Sequence, residues 1–199
     1  MTGLFIVLEG IDGAGKSTLG NRIKEVLTAA GRNVTVTQEP THDEIGGLIR
    51  SGTVKGISQA AEALLFVADR AVHTERISEL INNGHDVICD RYFASTVAYQ
   101  SAPLNGVALD KDWLVELNLP VMRDPDATFL LDIDPDKGMG RIAGREEKSK
   151  FEEAEYLGHV RARYLELAEE FGFKVIDASK DRNEVFAEVM ASIQKLIKR

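Results

Sequence analysis

The stretch Phe5-Ile6-Val7-Leu8-Glu9-Gly10-Ile11-Asp12-Gly13-Ala14-Gly15-Lys16-Ser17-Thr18 decides the fold. It opens within an apolar run, Leu4 to Leu8, that carries the signal of a β-strand. Gly10 to Ser17 then match G-x-x-x-x-G-K-[ST], and a helical pattern runs from Leu19 to Ala30. The glycines let backbone N–H groups turn inward around an oxyanion, and the following helix adds its positive N-terminal end. At this spacing Lys16 reaches β- and γ-phosphates, and the Ser17 hydroxyl can ligate Mg²⁺. Gly10, Ile11, Asp12, Gly13, Ala14, Gly15, Lys16, Ser17 and Thr18 are thus the candidate cradle for a nucleotide's phosphates. The bland alternative, a glycine-rich turn with a surface lysine, lacks a reason for strand and helix to flank it.

Working outward, four more short apolar runs repeat the strand signal: Asn33 to Thr37, Asp86 to Cys89, Ala127 to Leu131 and Phe173 to Ile176. Helical periods lie between them, as in Gln59 to Asn82 and Glu152 to Phe171, and Gly31, Gly84 and Gly172 stand where left-handed caps belong. The alternation predicts an α/β fold: a doubly wound, five-stranded parallel sheet with helices on both faces, P-loop NTPase-like. No linker divides the chain, so 1–199 is expected to be one domain. Residues 101–125 read as a loop holding a short helix, Asp110 to Leu117. The charged segment at about 141–151, between two helices, is the candidate lid.

Composition narrows the partners. The 199 residues are 44% hydrophobic and 28% charged, which excludes long-range disorder. The net charge of −8 disfavours general nucleic-acid or anionic-membrane binding, so an anionic ligand needs locally concentrated cations. Cys89 is the one cysteine, which excludes an intramolecular disulfide, and the four histidines show no metal-ligand spacing. The N-terminal apolar run is too short for a signal peptide and no stretch approaches a membrane span, so a cytoplasmic protein is expected.

Val87-Ile88-Cys89-Asp90 is a buried-strand pattern ending in a carboxylate, and strand C-termini are where doubly wound sheets bind ligands. Asp90 therefore joins Ser17 as a candidate Mg²⁺ residue. No Asn-Lys-x-Asp guanine signature is present, but arginines are dispersed at 50, 70, 91, 141 and 145. Planar guanidiniums suit a reaction that must neutralise two sets of phosphates.

The phosphate loop, Gln38-Glu39-Pro40, Leu64 to Arg70 and Asp90 to Gln100 together resemble, in order, the motifs of thymidylate (dTMP) kinases. The resemblance implies transfer of the γ-phosphoryl group of ATP, with Mg²⁺, to dTMP, in dTTP biosynthesis, by a homodimer. It implies that Phe66 stacks on thymine, that Arg70 and Gln100 meet the base, and that Tyr99 packs against the deoxyribose. Arg91 and Arg50 match positions that hold the acceptor's phosphate, and Asp12 matches one linked to its 3′-hydroxyl. Ser95, Glu39 and Pro40 lie within the matching motifs as further site residues. Phe66 and Arg70, at i and i+4, share a helix face. Without the resemblance Phe66 reads as core, and Arg70 as a solvated charge paired to Glu62, Asp69 or Glu75.

Three departures matter. Gln38 replaces the family's usual arginine and Thr41-His42 a common Gly-Gly, which opens the alternative of another pyrimidine acceptor. Gly13 stands where some members carry a catalytic arginine, which moves that role to Arg141 or Arg145 in the lid, with Lys148 and Lys150 behind them. The catalytic set is then Lys16, Arg91, Arg141 and Arg145. His73, His85 and His159 read as structural or solvated. A nucleotide-binding switch without acceptor chemistry is the rival from another class.

Overall fold

Strand β1 (Phe5–Glu9) is buried along its whole length, which explains why it reads as an unbroken apolar run rather than an alternating one. Each of Phe5, Ile6, Val7 and Leu8 stabilises the fold by about 1.5–3 kcal/mol on burial. β1 pairs in parallel with β3 (Asp86–Asp90) on one side and with β4 (Ala127–Asp132) on the other, so Ile6 lies between Ile88 and Ala127. Strands β2 (Val34–Gln38) and β5 (Lys174–Asp177) complete an all-parallel sheet in the order β2-β3-β1-β4-β5. The computed structural model describes residues 3–52, 56–104, 106–141 and 147–198, and in 147–153 the backbone alone.

Helix α1 (Lys16–Ala29) buries Leu19, Ile23 and Leu27 on one stripe, and Gly20 brings it close to the Leu8 side chain. The chain leaves β1 through α1 towards β2, passing over β3. It leaves β3 in the opposite direction, through α4 (Phe93–Ser101) and α5 (Lys111–Asn118), passing over β1 to β4. Right-handed crossovers in opposite directions put α1 on one face and α4 on the other. Between the C-termini of β1 and β3 the two connections part, and a crevice forms there. Helix α3 (Gln59–Asn82), opened by a Ser58 cap on the Ala61 N–H, packs on β3 beside α4. Helix α7 (Glu147–Phe171) packs on α4, and α8 (Arg182–Ile197) on β5 and α1.

The doubly wound sheet and its five strands are as the sequence predicts, and Gly31, Gly84 and Gly172 take the expected positive φ. Two short helices were not legible: α2 (Glu44–Ser51) and α6 (Pro135–Gly140). Each contains two glycines, which lower helix propensity, and each is held by tertiary contact instead. A Cβ on Gly46 would stand 2.2 Å from the Thr41 carbonyl oxygen, and one on Gly138 2.8 Å from that of Asp12. Helix α7 also starts five residues before the apolar period does, so the charged 147–151 are helical. Among the described residues no helix is long and apolar enough to cross a membrane.

Candidate active site

The loop after β1 turns on Gly10, Gly13 and Gly15, all at positive φ. Backbone crowding fixes two of these: a Cβ on Gly10 would lie 2.6 Å from the Leu131 carbonyl oxygen, and one on Gly13 2.0 Å from that of Gly138. Lys16, at the start of α1, is buried and donates from Nζ to the carbonyls of Gly10 and Ile11, each at 3.0 Å. Burial above all, and Arg91 next to it, bring its ammonium down to about 8 against the pull of Asp90, Asp12 and Glu9. Ser17, in the first turn of α1, donates from Oγ to Asp90 Oδ2, at the end of β3, at 2.5 Å, so the two candidate metal residues do meet.

On the α8 side of the loop lies a cavity of about 340 Å³ that residues Asp12 to Leu19 line. Its other wall is basic: Arg22, Arg141, Lys180 and Arg182, with the Arg22 guanidinium 3.9 Å from the centre of the Phe186 ring. Arg141 closes α6 and donates to the carbonyls of Ala178 at 3.0 Å and Gly13 at 3.4 Å. Arg145, with the rest of 142–146, lies outside the described residues, as do the side chains of Lys148 and Lys150.

On the α3 and α4 side lies a second cavity, of about 400 Å³, in which Phe66, Arg70, Arg91, Ser95, Tyr99 and Gln100 come together. Glu39, Pro40 and Asp12 line it as well, so Asp12 belongs to both cavities. Arg91 has φ 71, a conformation that only surrounding structure can hold for a bulky residue. Its guanidinium donates to Asp12 at 2.6 Å and to Ser95, Tyr99 and Tyr164 at 3.2 Å each.

Glu9 organises this corner. Its buried carboxylate accepts from the N–H groups of Tyr92 and Ser95, from Ser95 Oγ at 2.6 Å and from Tyr164. A side chain from β1 thereby caps α4 and aims Ser95 at Arg91. Burial pushes the Glu9 carboxyl above the ordinary range, against Ser95, Arg91 and the Tyr92 N–H.

Arg70 is not the solvated charge of the bland reading. It is 1% exposed and donates to Glu39 at 2.6 Å, to Thr96 at 3.0 Å and to Asn118 of α5. Glu39 thereby gains a defined place, as the carboxylate that receives Arg70. Of the other suggested partners, Asp69 takes both the N–H and the hydroxyl of Thr41, and Glu62 receives Gln100.

Not every predicted residue joins the site. Arg50 stands exposed in the last turn of α2 and lines neither cavity. Gln38 and His42, expected to alter acceptor specificity, line a separate cavity of about 490 Å³ between α1, β2 and α3. Tyr156 of α7 and Thr96 line the second cavity unanticipated, Tyr156 donating to the Tyr99 carbonyl at 2.7 Å. Nothing in the local period of α7 sets Tyr156 apart. Glu9 carried a signal, a carboxylate closing an apolar strand next to Gly10, like that of Asp90.

A doubly wound parallel sheet with a glycine loop folded over a buried lysine at its switch point defines the class of P-loop NTPase-like α/β proteins. Within that class, the chain belongs to the thymidylate kinase family, whose model matches residues 8–189. It is 43% identical to a protein of Thermococcus kodakarensis named "Probable thymidylate kinase", over 98% of each chain. A protein of the same name from Pyrobaculum calidifontis is 40% identical over 96% of each. The "Thymidylate kinase" of Bifidobacterium longum subsp. infantis is 37% identical over the whole of this chain and 89% of its own.

Proposed function

We propose that this enzyme transfers the γ-phosphoryl group of MgATP to dTMP, giving ADP and the dTDP needed for dTTP. The observation that carries the reading is the meeting of two cavities at Asp12, one against the phosphate loop and one lined by Phe66, Arg70 and Tyr99. A switch needs only the first. Two nucleotides laid in these cavities bring their phosphates together at the loop.

The acceptor's phosphate oxygen is already a nucleophile, so catalysis rests on alignment and charge neutralisation rather than on a general base. Lys16 leaves its loop carbonyls for the donor's phosphates, and Arg91 holds the acceptor phosphate. Arg50 joins it only by movement of α2. Ser17 and Asp90 present hard oxygens of the kind that Mg²⁺ takes, 2.5 Å apart. A divalent ion held by these two residues would neutralise charge on the donor's phosphates. Arg141 already lines the donor side, and with Arg145 it supplies the cation that Gly13 cannot. Residues 141–151 act as the lid of one kinase domain spanning the chain, and their closure excludes water.

At the base, Phe66 offers a stacking face. Arg70 lines the cavity and offers donors only. A carbonyl edge such as thymine's O4 satisfies such a donor, whereas cytosine's amino group does not. Tyr99 crowds a 2′-hydroxyl. The protein acts in the cytoplasm as a homodimer, for which α3 supplies an exposed stripe at Leu64, Ala68 and Val72.

The test is ADP release with MgATP against dTMP, dUMP, UMP, CMP, AMP and GMP. Preference for dTMP supports the assignment. Turnover spread over the other pyrimidines moves selectivity away from Arg70 and Tyr99, and acceptor-independent nucleotide binding without turnover refutes the proposal.

A further inference from the structure

His73 lies one turn after Arg70 on α3 and is buried, like Arg70 itself. Its Nδ1 is 2.9 Å from Glu39 Oε1, while Glu39 Oε2 receives Arg70 at 2.6 Å. Its Nε2 is 2.7 Å from Thr37 Oγ1 on β2. With the Thr37 hydroxyl donating to Nε2, Nδ1 carries the proton and donates to the carboxylate, so a neutral imidazole satisfies both partners. Glu39, His73 and Cys89 also bring ligand atoms within 4.8 Å of one another. Each member already has a partner of its own: Arg70 supplies Glu39 with a cation, Thr37 holds His73, and the Cys89 thiol, pushed well up by burial, donates to the Arg91 carbonyl at 3.0 Å.

We infer that His73 is a positioning residue for acceptor recognition: held by Thr37, it fixes Glu39, which fixes the plane of the Arg70 guanidinium that reads the base. The inference rests on the proposed role of Arg70. The guanidinium has three anchors, from α5 (Asn118), α4 (Thr96) and the loop after β2 (Glu39). Only Glu39 carries a charge, and His73 is what holds its other oxygen. Removing that donor leaves a buried carboxylate oxygen unsatisfied, and the carboxylate turns to recover a partner. Arg70 then loses its orientation, while Lys16 and Arg91 at the phosphate end keep theirs. The effect belongs to acceptor binding and not to turnover.

Steady-state kinetics with dTMP on His73→Phe, His73→Asn and Arg70→Ala tests this. Phenylalanine keeps an aromatic ring, somewhat larger, and removes the donor, and asparagine places an amide N–H where Nδ1–H was. We expect His73→Phe to raise KM for dTMP about tenfold, the scale of a lost hydrogen bond to a charged group, with kcat within about twofold. We expect His73→Asn to recover most of the loss. An unchanged KM in His73→Phe overturns the inference, as does a loss of kcat that His73→Asn shares. If Arg70→Ala raises KM and His73→Phe does not, the inference fails and the Arg70 reading stands. If Arg70→Ala leaves KM unchanged, both fall. Should His73→Phe not fold, Thr37→Val releases the same imidazole at its other nitrogen: raised KM with kcat kept supports the inference, and unchanged KM overturns it.

Discussion

Gly13→Ala is a small change with a large expected consequence, because the phosphate loop and α6 meet there backbone to backbone. The new Cβ would stand 2.0 Å from the Gly138 carbonyl oxygen and 2.6 Å from its carbon. Reaching the 3.4 Å of ordinary contact requires the two backbones to part by about 1.4 Å. Arg141 ends α6 three residues further on, so it moves with the helix and gives up its contacts on Gly13 and Ala178. Two costs combine. An alanine at φ +80 costs about 1–2 kcal/mol, and overpacking adds roughly 1–3 kcal/mol. Gly31→Ala separates them, since Gly31 has φ +84 and a Cβ there would meet nothing within 4 Å. In a chain of this length each kcal/mol lowers Tm by roughly 2–4 °C. Thermal melting should therefore show a drop for Gly31→Ala of roughly 2–8 °C and a larger one for Gly13→Ala. Phosphoryl transfer should fall by about a hundredfold in Gly13→Ala, the effect of a displacement near 1 Å on aligned groups, and stay unchanged in Gly31→Ala. Equal melting losses in the two variants, with Gly13→Ala still active, would refute a rigid apposition of loop and helix.

Lys16 predicts a pH dependence. Its ammonium titrates near 8 in the folded free protein against an ordinary 10.5, so the unfolded chain holds that proton across this window and the folded one does not. Stability therefore rises with pH from about 8 to 10.5, and Lys16→Met should abolish that rise in denaturant titrations. In kinetics, kcat/KM for the donor should fall above pH 8, while kcat holds to higher pH because bound phosphates favour the charged lysine; coincident limbs would count against Lys16 as the titrating group. Asp90→Asn should raise the Mg²⁺ concentration for half-maximal activity by about 10–100-fold with little change in KM for dTMP. Arg141→Ala and Arg145→Ala should lower turnover much more than dTMP affinity, and unchanged rates in both would move the transition-state cation elsewhere.

Most of the architecture was legible because it depends on short-range patterns. A both-sides-buried strand must be apolar throughout, a phosphate loop must place glycines where positive φ is required, and β1 and β3 announce themselves in this way. The pairing of Ser17 with Asp90 followed too, since in a doubly wound sheet the helix after β1 starts at the switch point, beside the C-terminus of β3. Helices α2 and α6 escaped because their glycines argue against helix, and only close backbone packing on Thr41 and Asp12 overrides that propensity.

The site divides along the same line. Residue type and spacing determined a glycine loop of the phosphate-binding pattern, a phenylalanine one turn from an arginine on the same helix face, and a carboxylate at a strand end. Those are properties of a chain segment, set by backbone geometry within a few residues. Only the tertiary structure decided which charges are paired and which are offered to a ligand. Glu9 caps a helix 83 residues away, Arg70 finds Glu39 rather than its helical neighbours, and Gln38 and His42 face a cavity other than the one that gathers Phe66 and Arg70. Burial makes an unpaired charge costly, so partners are chosen by the packing that removes water, and packing joins residues that sequence keeps far apart.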